Sequence, residues 1–234
     1  MHNPKQVAGR RAAEFVENGM AVGLGTGSTV FFTLERLAER VREGLKIRCV
    51  PTSIDTENKA RVMGIPLVEL GKIDALDLTI DGADEIDGAF HMIKGGGGAL
   101  LREKVVASIT RRQIAIVGAE KVVARLGKFP LPIEVVPFAR EVIHRALGAR
   151  GATATLRTGP AGQPYLTDNG NQILDCRFPD GIADPASLEL ELDRLPGIVE
   201  TGLFVGLAHV LVIGREDGSV EVRERATALP RAGR

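Results

Sequence analysis

The segment 77–104 concentrates acids, a lysine and bare backbone within one short stretch of the chain. Asp81 and Asp84 follow an apolar run that is typical of a buried parallel strand. Lys94, four consecutive glycines and a predicted helix that carries Glu103 come next. Ligands of open α/β sheets collect at the carboxyl ends of strands, so this segment predicts a site there. Groups of these types serve acid–base catalysis and the stabilisation of an oxyanion.

Each of these residues also has a simpler structural interpretation. An aspartate at a strand end often forms a turn, and a glutamate in the first turn of a helix suits the helix dipole. The glycine run Gly95–Gly98 is harder to explain, because glycine loses more backbone entropy on ordering than other residues. A flexible linker is one explanation. The strand and helix patterns on either side instead favour close approach of a ligand to the backbone.

A second candidate site follows the apolar run 20–25, where Thr26, Gly27, Ser28 and Thr29 precede a predicted helix. A strand, a glycine-containing turn and a helix bring free backbone N–H groups and the positive helix end to one point, which suits a phosphate. The spacing departs from the dinucleotide fingerprint, and no lysine follows as in a Walker A loop. An ordinary turn with a hydroxyl cap is the alternative, and this motif alone leaves both open.

Composition argues against several classes of function. Lys+Arg and Asp+Glu number 30 each, which is not the charge balance of an electrostatic nucleic-acid or membrane binder. The chain has no Trp and one Tyr, which removes the stacking platforms expected for single-stranded nucleic acids. It contains no run of about 18 apolar residues and no apolar region near its start. We therefore expect neither a membrane span nor a secretory signal.

The cysteines and histidines do not suggest a metal site. Cys49 and Cys176 lie far apart in strand-like runs, which predicts buried thiols in a reducing compartment and a cytoplasmic protein. No cysteine spacing typical of zinc occurs, and the acidic residues between 77 and 87 lack the EF-hand spacing. Of the scattered histidines only His91 is near the candidate site, and we interpret it as a packing residue.

Alternating strands and helices with short connections predict an α/β fold with a doubly wound, mostly parallel, Rossmann-like sheet. Near residue 127 the predicted order changes to β-α-β-β-α-β, which is the ferredoxin-like order. We therefore predict a catalytic domain of residues 1–127 and 206–234, with a small α+β domain inserted at 128–205.

Caps and turns predict several element boundaries. Asn3 and Pro4 should begin the first helix, which should end near Asn18. The segments 210–215 and 219–225 should form a hairpin that completes the first domain. A short edge strand is predicted at 65–70 and a strand before a turn at 165–167. The tail 227–234 is predicted to be frayed.

Three spaced motifs together resemble the type A ribose-5-phosphate isomerase family: GTGST at 25–29, DGADEID at 81–87 and KGGGGALLREK at 94–104. The resemblance covers essentially the whole chain, including DNGNQILD at 168–175 and PGIVETGLF at 196–204. It implies the interconversion of D-ribose 5-phosphate and D-ribulose 5-phosphate in the pentose phosphate pathway. It also implies that no metal or organic cofactor is used, and that the protein forms a homodimer or a tetramer.

The resemblance assigns roles to individual residues. The family's general base corresponds to Glu103, its sugar-contacting aspartates to Asp81 and Asp84, and its loop lysine to Lys94. The remaining residues are expected to bind the substrate: Thr26, Gly27, Ser28, Thr29, Gly82, Ala83, Gly95, Gly96, Gly97, Lys121 and Lys5. Residues 205–209 depart from the family pattern, which affects the expected oligomer contacts more than the chemistry.

The implied reaction moves a proton between C1 and C2 of the sugar through an enediol or enediolate, and Glu103 is expected to carry it. Lys94 and the amides of the glycine run should stabilise the oxyanion. Asp81 is expected to help move the second proton between O1 and O2, and either Asp81 or Asp84 to assist ring opening. The phosphate should be held by 26–29 and a lysine.

Two other functions are alternatives to this one. A CoA-transferase-like enzyme would use Glu103 as a nucleophile and form a covalent acyl adduct. A non-catalytic sensor of phosphosugars would bind a similar ligand, but it needs no set of three acids, and no DNA-binding module is visible in the sequence.

Overall fold

The structure is a computed structural model that describes residues 2–225, so the tail 227–234 lies outside the described part. The chain forms two compact units. The first unit contains the residues up to Ala83, Arg102–Val122 and those from Gly206 onwards. The second contains Asp84–Leu101 and Val123–Val205. The second unit thus includes the predicted small domain 128–205 and adds an earlier segment, and the domain boundaries stay a prediction.

Helices and strands alternate along most of the described chain. The first half contains α1 (Pro4–Ala13), β1 (Ala21–Leu24), α2 (Ser28–Arg42), β2 (Arg48–Pro51), α3 (Ile54–Val62), β3 (Leu76–Gly82), β4 (Glu85–Ile86), β5 (Met92–Ile93) and α4 (Leu100–Ser108). The second half contains β6 (Thr110–Gly118), β7 (Leu131–Val135), α5 (Arg140–Gly148), β8 (Thr153–Leu156), β9 (Gln172–Arg177), α6 (Pro185–Asp193), β10 (Ile198–Thr201), β11 (Leu203–Phe204), β12 (Val210–Gly214) and β13 (Val220–Glu224).

The first unit is built on a six-stranded sheet with the order β13-β12-β6-β3-β1-β2. All neighbouring pairs are parallel except β12 and β13, which form the predicted antiparallel hairpin. This confirms the doubly wound, mostly parallel sheet. The chain adds β2 on one side of β1 and later adds β3 and β6 on the other side, so the order of the strands reverses between β1 and β3. Such a switch point is where ligands bind in this class of sheet.

One helix end and one strand in the first unit were predicted wrongly. Helix α1 begins at Pro4 with Asn3 as its cap, as expected, but it ends at Ala13 rather than near Asn18. Phe15 and Val16 follow in tight turns, and this bend still brings both side chains onto the apolar core. The segment 65–70 is not a strand. It pairs with β2 only at Leu67, because Pro66 beside it has no N–H to donate.

The second unit contains a four-stranded antiparallel sheet with the order β10-β7-β9-β8. Numbered within the unit this is 4-1-3-2, in the sequence β-α-β-β-α-β, which confirms the ferredoxin-like prediction. Helices α5 and α6 pack on one face, against Ile133 and Leu174 among others. The alternation along strands turns Glu134 and Asp175 to the other face. The predicted strand 165–167 is absent, because this segment makes single loop hydrogen bonds instead of a ladder.

A second, smaller sheet of the same unit was not predicted. Its order is β11-β5-β4, and both pairs are antiparallel. Each strand is only two residues long, so no periodic pattern could reveal it in the sequence. Its strand β5 lies immediately before Lys94 in the chain, so the sheet fixes where the glycine run begins.

Candidate active site

Asp81 organises the switch point of the first unit. It lies near the end of β3 and is 1% exposed. Its Oδ1 accepts hydrogen bonds from the backbone N–H groups of Gly82 at 2.7 Å and Thr26 at 3.1 Å. The turn after β1 is thereby held against the end of β3. Gly25 permits this approach, because a Cβ at that position would overlap the Asp81 carboxylate.

The Thr26 hydroxyl is engaged within the protein. It lies 2.8 Å from Ser53 Oγ, 2.9 Å from Thr52 Oγ1 and 3.2 Å from Thr56 Oγ1. Ser53 is also the cap of α3, since its hydroxyl accepts from Thr56 N–H. Thr26 therefore ties the turn to the start of α3. Its expected role in binding the phosphate stays a prediction.

Lys5 and Ser28 come together at the start of α2. Lys5 Nζ donates to Ser28 Oγ at 3.0 Å, and both side chains are exposed. Gly27 precedes the helix with a φ of 110°, a conformation that favours glycine. Thr29 lies half-buried in the first turn. An ammonium, a hydroxyl and the positive helix end thus meet at one exposed point, an arrangement suited to a phosphate group.

The remaining candidates of the first unit lie after β3 and β6. Glu103 is 5% exposed and lies in the first turn of α4. Lys121 ends a short 3-10 turn that follows β6 directly, and it is half-buried. Ala83 is half-buried and is the last residue before the second unit.

Lys94 belongs to the second unit and is 3% exposed. Its backbone N–H donates to Gly202 O at 2.9 Å. Its ammonium lies 5.4 Å from the centre of the Phe204 ring, within the range of a cation–π contact. Because Phe204 pairs with Met92 across β11 and β5, the small sheet sets the position of this lysine.

Asp84 holds the glycine run. Its Oδ2 accepts the Gly96 N–H at 2.7 Å, and a Cβ at Gly96 would lie 2.6 Å from its Oδ1. Gly98 N–H donates to Gly95 O at 2.9 Å, and both of these glycines have positive φ. Two of the four amides that we expected to face a ligand are therefore engaged by the protein, that of Gly96 by Asp84 and that of Gly98 by Gly95. The amides of Gly95 and Gly97 are left as candidate oxyanion donors.

A second group of residues, which the sequence motifs did not predict, contacts this loop. Arg157 donates to the carbonyls of Gly95 and Gly96, and it is paired with the Asp175 carboxylate. Tyr165 donates to the carbonyl of Gly97. The only sequence signal was that Asp175 lies between the apolar Leu174 and Cys176 in a strand, on the face away from the helices.

Two buried carboxylates have structural roles. Glu85 is 3% exposed and accepts the N–H groups of Gly127 at 2.8 Å and Phe129 at 2.6 Å. Glu134 is fully buried, and its Oε1 accepts from Thr167 Oγ1 and Asn171 Nδ2, both at 2.9 Å. The polar run at 168–171 therefore helps to supply the hydrogen-bond donors of the buried Glu134 carboxylate. These hydrogen bonds fix the loop that begins with Tyr165.

The described residues contain no group of three or more His, Cys, Asp or Glu that could hold a metal ion. His91 Nδ1 lies 3.1 Å from Asp87 Oδ2. Burial raises the pKa of Asp87, but the hydrogen bonds from His91 outweigh it and bring the pKa below its ordinary value. Cys49 and Cys176 are buried and unbridged, as predicted, and burial raises the pKa of each thiol to about 12. Both remain protonated near neutral pH and are poor nucleophiles.

Residues 48–218 match the family model of ribose 5-phosphate isomerase A (phosphoriboisomerase A). The chain belongs to the ribose 5-phosphate isomerase A family. The ribose-5-phosphate isomerase A of Listeria innocua is 49% identical over 222 residues, which cover 95% of this chain and 99% of that protein. The family resemblance derived from the motifs is thereby confirmed.

Solved structures of the isomerase family share the fold. A D-ribose-5-phosphate isomerase in complex with phospho-erythronic acid has a TM-score of 0.92 and 38% identity, covering 96% of this chain and 100% of that one. The ribose 5-phosphate isomerase of Plasmodium falciparum has a TM-score of 0.92 and 40% identity, covering 95% and 98%.

The range matched by the isomerase family model includes Asp81, Asp84, Lys94, Glu103 and Lys121. The candidate phosphate ligands on α1 and α2 precede that range. Within the first unit the structure brings Thr26 to Asp81 and Lys5 to Ser28, and within the second it brings Asp84 to Gly96. The catalytic roles of all these residues stay predictions. Among the described residues, no helix is long and apolar enough to cross a membrane.

Proposed function

We propose that this chain interconverts D-ribose 5-phosphate and D-ribulose 5-phosphate through an enediolate. The observation that carries the proposal is its likeness, over 96% of its length, to a D-ribose-5-phosphate isomerase in complex with phospho-erythronic acid. That compound is a sugar acid with a phosphate. Its carboxylate is planar and anionic, so it resembles the flat, negatively charged end of an enediolate.

Glu103 is the proposed general base. In the open-chain aldose it removes the proton from C2, which gives an enediolate with a double bond between C1 and C2. It then returns the proton to C1, which gives the ketose. A carboxylate that is 5% exposed on a helix is restricted in its movement, which favours transfer of one proton between adjacent carbons.

Lys94 is the proposed partner of the developing oxyanion. Its ammonium is almost fully buried, and it begins the loop in which the amides of Gly95 and Gly97 remain as donors. Donors that are fixed before the reaction stabilise the enediolate more than the neutral carbonyl, so they lower the barrier. We assign the proton transfer between O1 and O2, and assistance in ring opening, to Asp81. Asp84 is better placed to hold the loop, because it accepts the Gly96 amide.

The phosphate is proposed to bind at the start of α2. Lys5 and Ser28 meet there, and Lys121 follows β6 of the same sheet, which β3 separates from β1. A dianionic group bound away from the reacting carbons supplies binding energy that orients the sugar.

We further propose a cytoplasmic homodimer or tetramer. The two buried, protonated cysteines suit a reducing compartment, and Phe138 is 98% exposed, as expected of a residue covered in an assembly. Sedimentation velocity of the purified chain will measure the size of the assembly.

The decisive experiment follows ketose formation from ribose 5-phosphate by the purified chain. Glu103→Gln should lower kcat at least ~100-fold, the usual size of a general-base contribution. Glu17→Gln, an exposed glutamate after α1, is the matched control and should be normal. Activity should survive dialysis against EDTA.

No ketose from the wild-type protein would refute the isomerase proposal. Near-normal turnover by Glu103→Gln would remove this residue from the role of base. Mass spectrometry that detects a covalent acyl adduct on Glu103 after incubation with an acyl-CoA would instead favour a CoA-transferase.

A further inference from the structure

Three consecutive carbonyls of the glycine run are held from one side. Arg157 Nη1 donates to Gly95 O at 2.8 Å and to Gly96 O at 3.2 Å. The Tyr165 hydroxyl donates to Gly97 O at 3.5 Å. Asp84 holds the Gly96 N–H and Gly98 N–H bonds Gly95 O, but the loop has no side chains of its own, and glycine has the largest backbone entropy to lose. These contacts therefore account for much of the order of the loop.

The guanidinium is itself held in place. Asp175 accepts from Arg157 Nε at 2.9 Å and from Nη2 at 2.5 Å, the bidentate geometry that orients an arginine most strongly. The two side chains are only 15% and 25% exposed. The Arg157 guanidinium also lies 5.9 Å from the centre of the Tyr165 ring. The pairing of β8 with β9 brings these groups together, so the arrangement belongs to the folded sheet.

Holding the carbonyls also orients the amides. A trans peptide unit is planar, so its C=O and the N–H of the next residue point in opposite directions. With the Gly96 carbonyl bonded to Arg157, the Gly97 N–H must point to the opposite side of the loop. The Gly95 carbonyl likewise directs the Gly96 N–H, and that group reaches Asp84.

We infer that Arg157 is a positioning residue for the isomerisation, which it supports by fixing the amide donors of the glycine run. The inference rests on the proposed function and deepens it. Arg157 acts through the loop and does not contact the sugar. Asp175 fixes the Arg157 guanidinium, and Tyr165 fixes the end of the loop at Gly97. Because the amides are proposed to stabilise the enediolate more than the substrate, loosening them should lower kcat more than it raises KM.

The test uses Arg157→Ala and Arg157→Lys in the full chain. Arg157→Ala should lower kcat by about 10-fold to 100-fold, the range for reacting groups displaced by up to an ångström, with KM changed less than about threefold. Arg157→Lys keeps the charge but loses the planar, bidentate pairing with Asp175, so its kcat should be intermediate. Arg177→Ala removes a second arginine that lines the same groove and should leave kcat unchanged.

Chemical rescue separates positioning from general destabilisation. Arg157 lines an open groove of about 610 Å³ together with Gly96 and Arg177, so a small cation can enter the space left by truncation. Guanidinium at millimolar concentration should restore part of the kcat of Arg157→Ala, whereas the same concentration of sodium or urea should not. Melting temperatures should show that both variants are folded at the assay temperature.

Several results would overturn the inference. One is an active wild-type enzyme whose Arg157→Ala variant keeps more than half of its kcat. Another is a loss that appears only in KM, or one that urea restores as well as guanidinium does. If Arg157→Ala does not fold, full kcat in Arg157→Lys would equally refute the role. An inactive wild-type protein would refute the proposed function instead, so the two failures are distinguishable.

Discussion

Lys5 Nζ donates a 3.0 Å hydrogen bond to Ser28 Oγ, although 23 positions separate the two residues. The pair depends on how α1 packs against α2. Arg10 of α1 reaches Glu39 of α2 with two hydrogen bonds at 3.0 and 2.8 Å, and Gly9 lets the helices approach closely. The proposed phosphate site is therefore built by the packing of two helices.

Lys5→Ala should weaken phosphate binding with little effect on the chemical step. We expect KM for ribose 5-phosphate to rise about tenfold, which corresponds to the loss of one exposed charge-assisted hydrogen bond, with kcat nearly unchanged. Steady-state kinetics will measure both constants, and Lys46→Ala, another exposed lysine of the same unit, is the control. A fall in kcat without a rise in KM would contradict the assignment.

Lys94→Met should lower kcat about 100-fold or more, the usual effect of losing one oxyanion donor. Methionine keeps most of the side-chain volume beside Phe204, so the packing of the small sheet should survive. KM should change little, because the charge is needed mainly in the transition state. A variant that binds substrate poorly but turns over normally would make Lys94 a binding residue instead.

Gly25→Ala should damage the site through Asp81. The new Cβ would overlap the Asp81 carboxylate and lie 2.6 Å from Asp81 Cα, so the strand end must shift. We expect the free energy of unfolding to fall by about 1–3 kcal/mol, as for other overpacked positions, and kcat to fall with it. Urea unfolding and kinetics will measure these effects. Gly71→Ala is the control, since a Cβ there meets no atom within 4 Å. Equal stability and activity in the two variants would show that Asp81 can adjust.

Glu39 should make the α1–α2 contact sensitive to acid. Hydrogen bonds from Arg10 and Arg36 lower the pKa of Glu39 from its ordinary value of 4.5 to about 2. A pKa that is lower in the folded state contributes stability above about pH 4.5, and this contribution is lost as the pH falls toward 2. The difference in melting temperature between wild type and Glu39→Gln should therefore shrink over that window.

The same difference should also shrink in high salt, because these side chains are partly exposed and their attraction is screened. Thermal melts between pH 2 and pH 6, with Glu17→Gln as the control, will measure it. A gap that stays constant with pH would show that the pairing adds no stability through ionised Glu39.

Much of the architecture could be read from local patterns. The caps Asn3, Ser53 and Asp184 each accept a backbone N–H at a helix start, and Asn3 was predicted as such. Parallel strands buried on both faces are apolar runs, and such runs identified β1 and β3. These signals depend only on residues close together in the sequence, so they can be recognised without a structure.

The amino-acid sequence alone determined the order of the main helices and strands, the family and the short motifs that carry the candidate acids, lysines and glycines. The tertiary structure decided which of these groups are already engaged. It showed that Asp84 holds Gly96, that the Thr26 hydroxyl joins Ser53, and that Arg157 and Asp175 hold the glycine run. Such contacts join residues 12 to 62 positions apart, and they follow from strand register and helix packing, which no local pattern encodes.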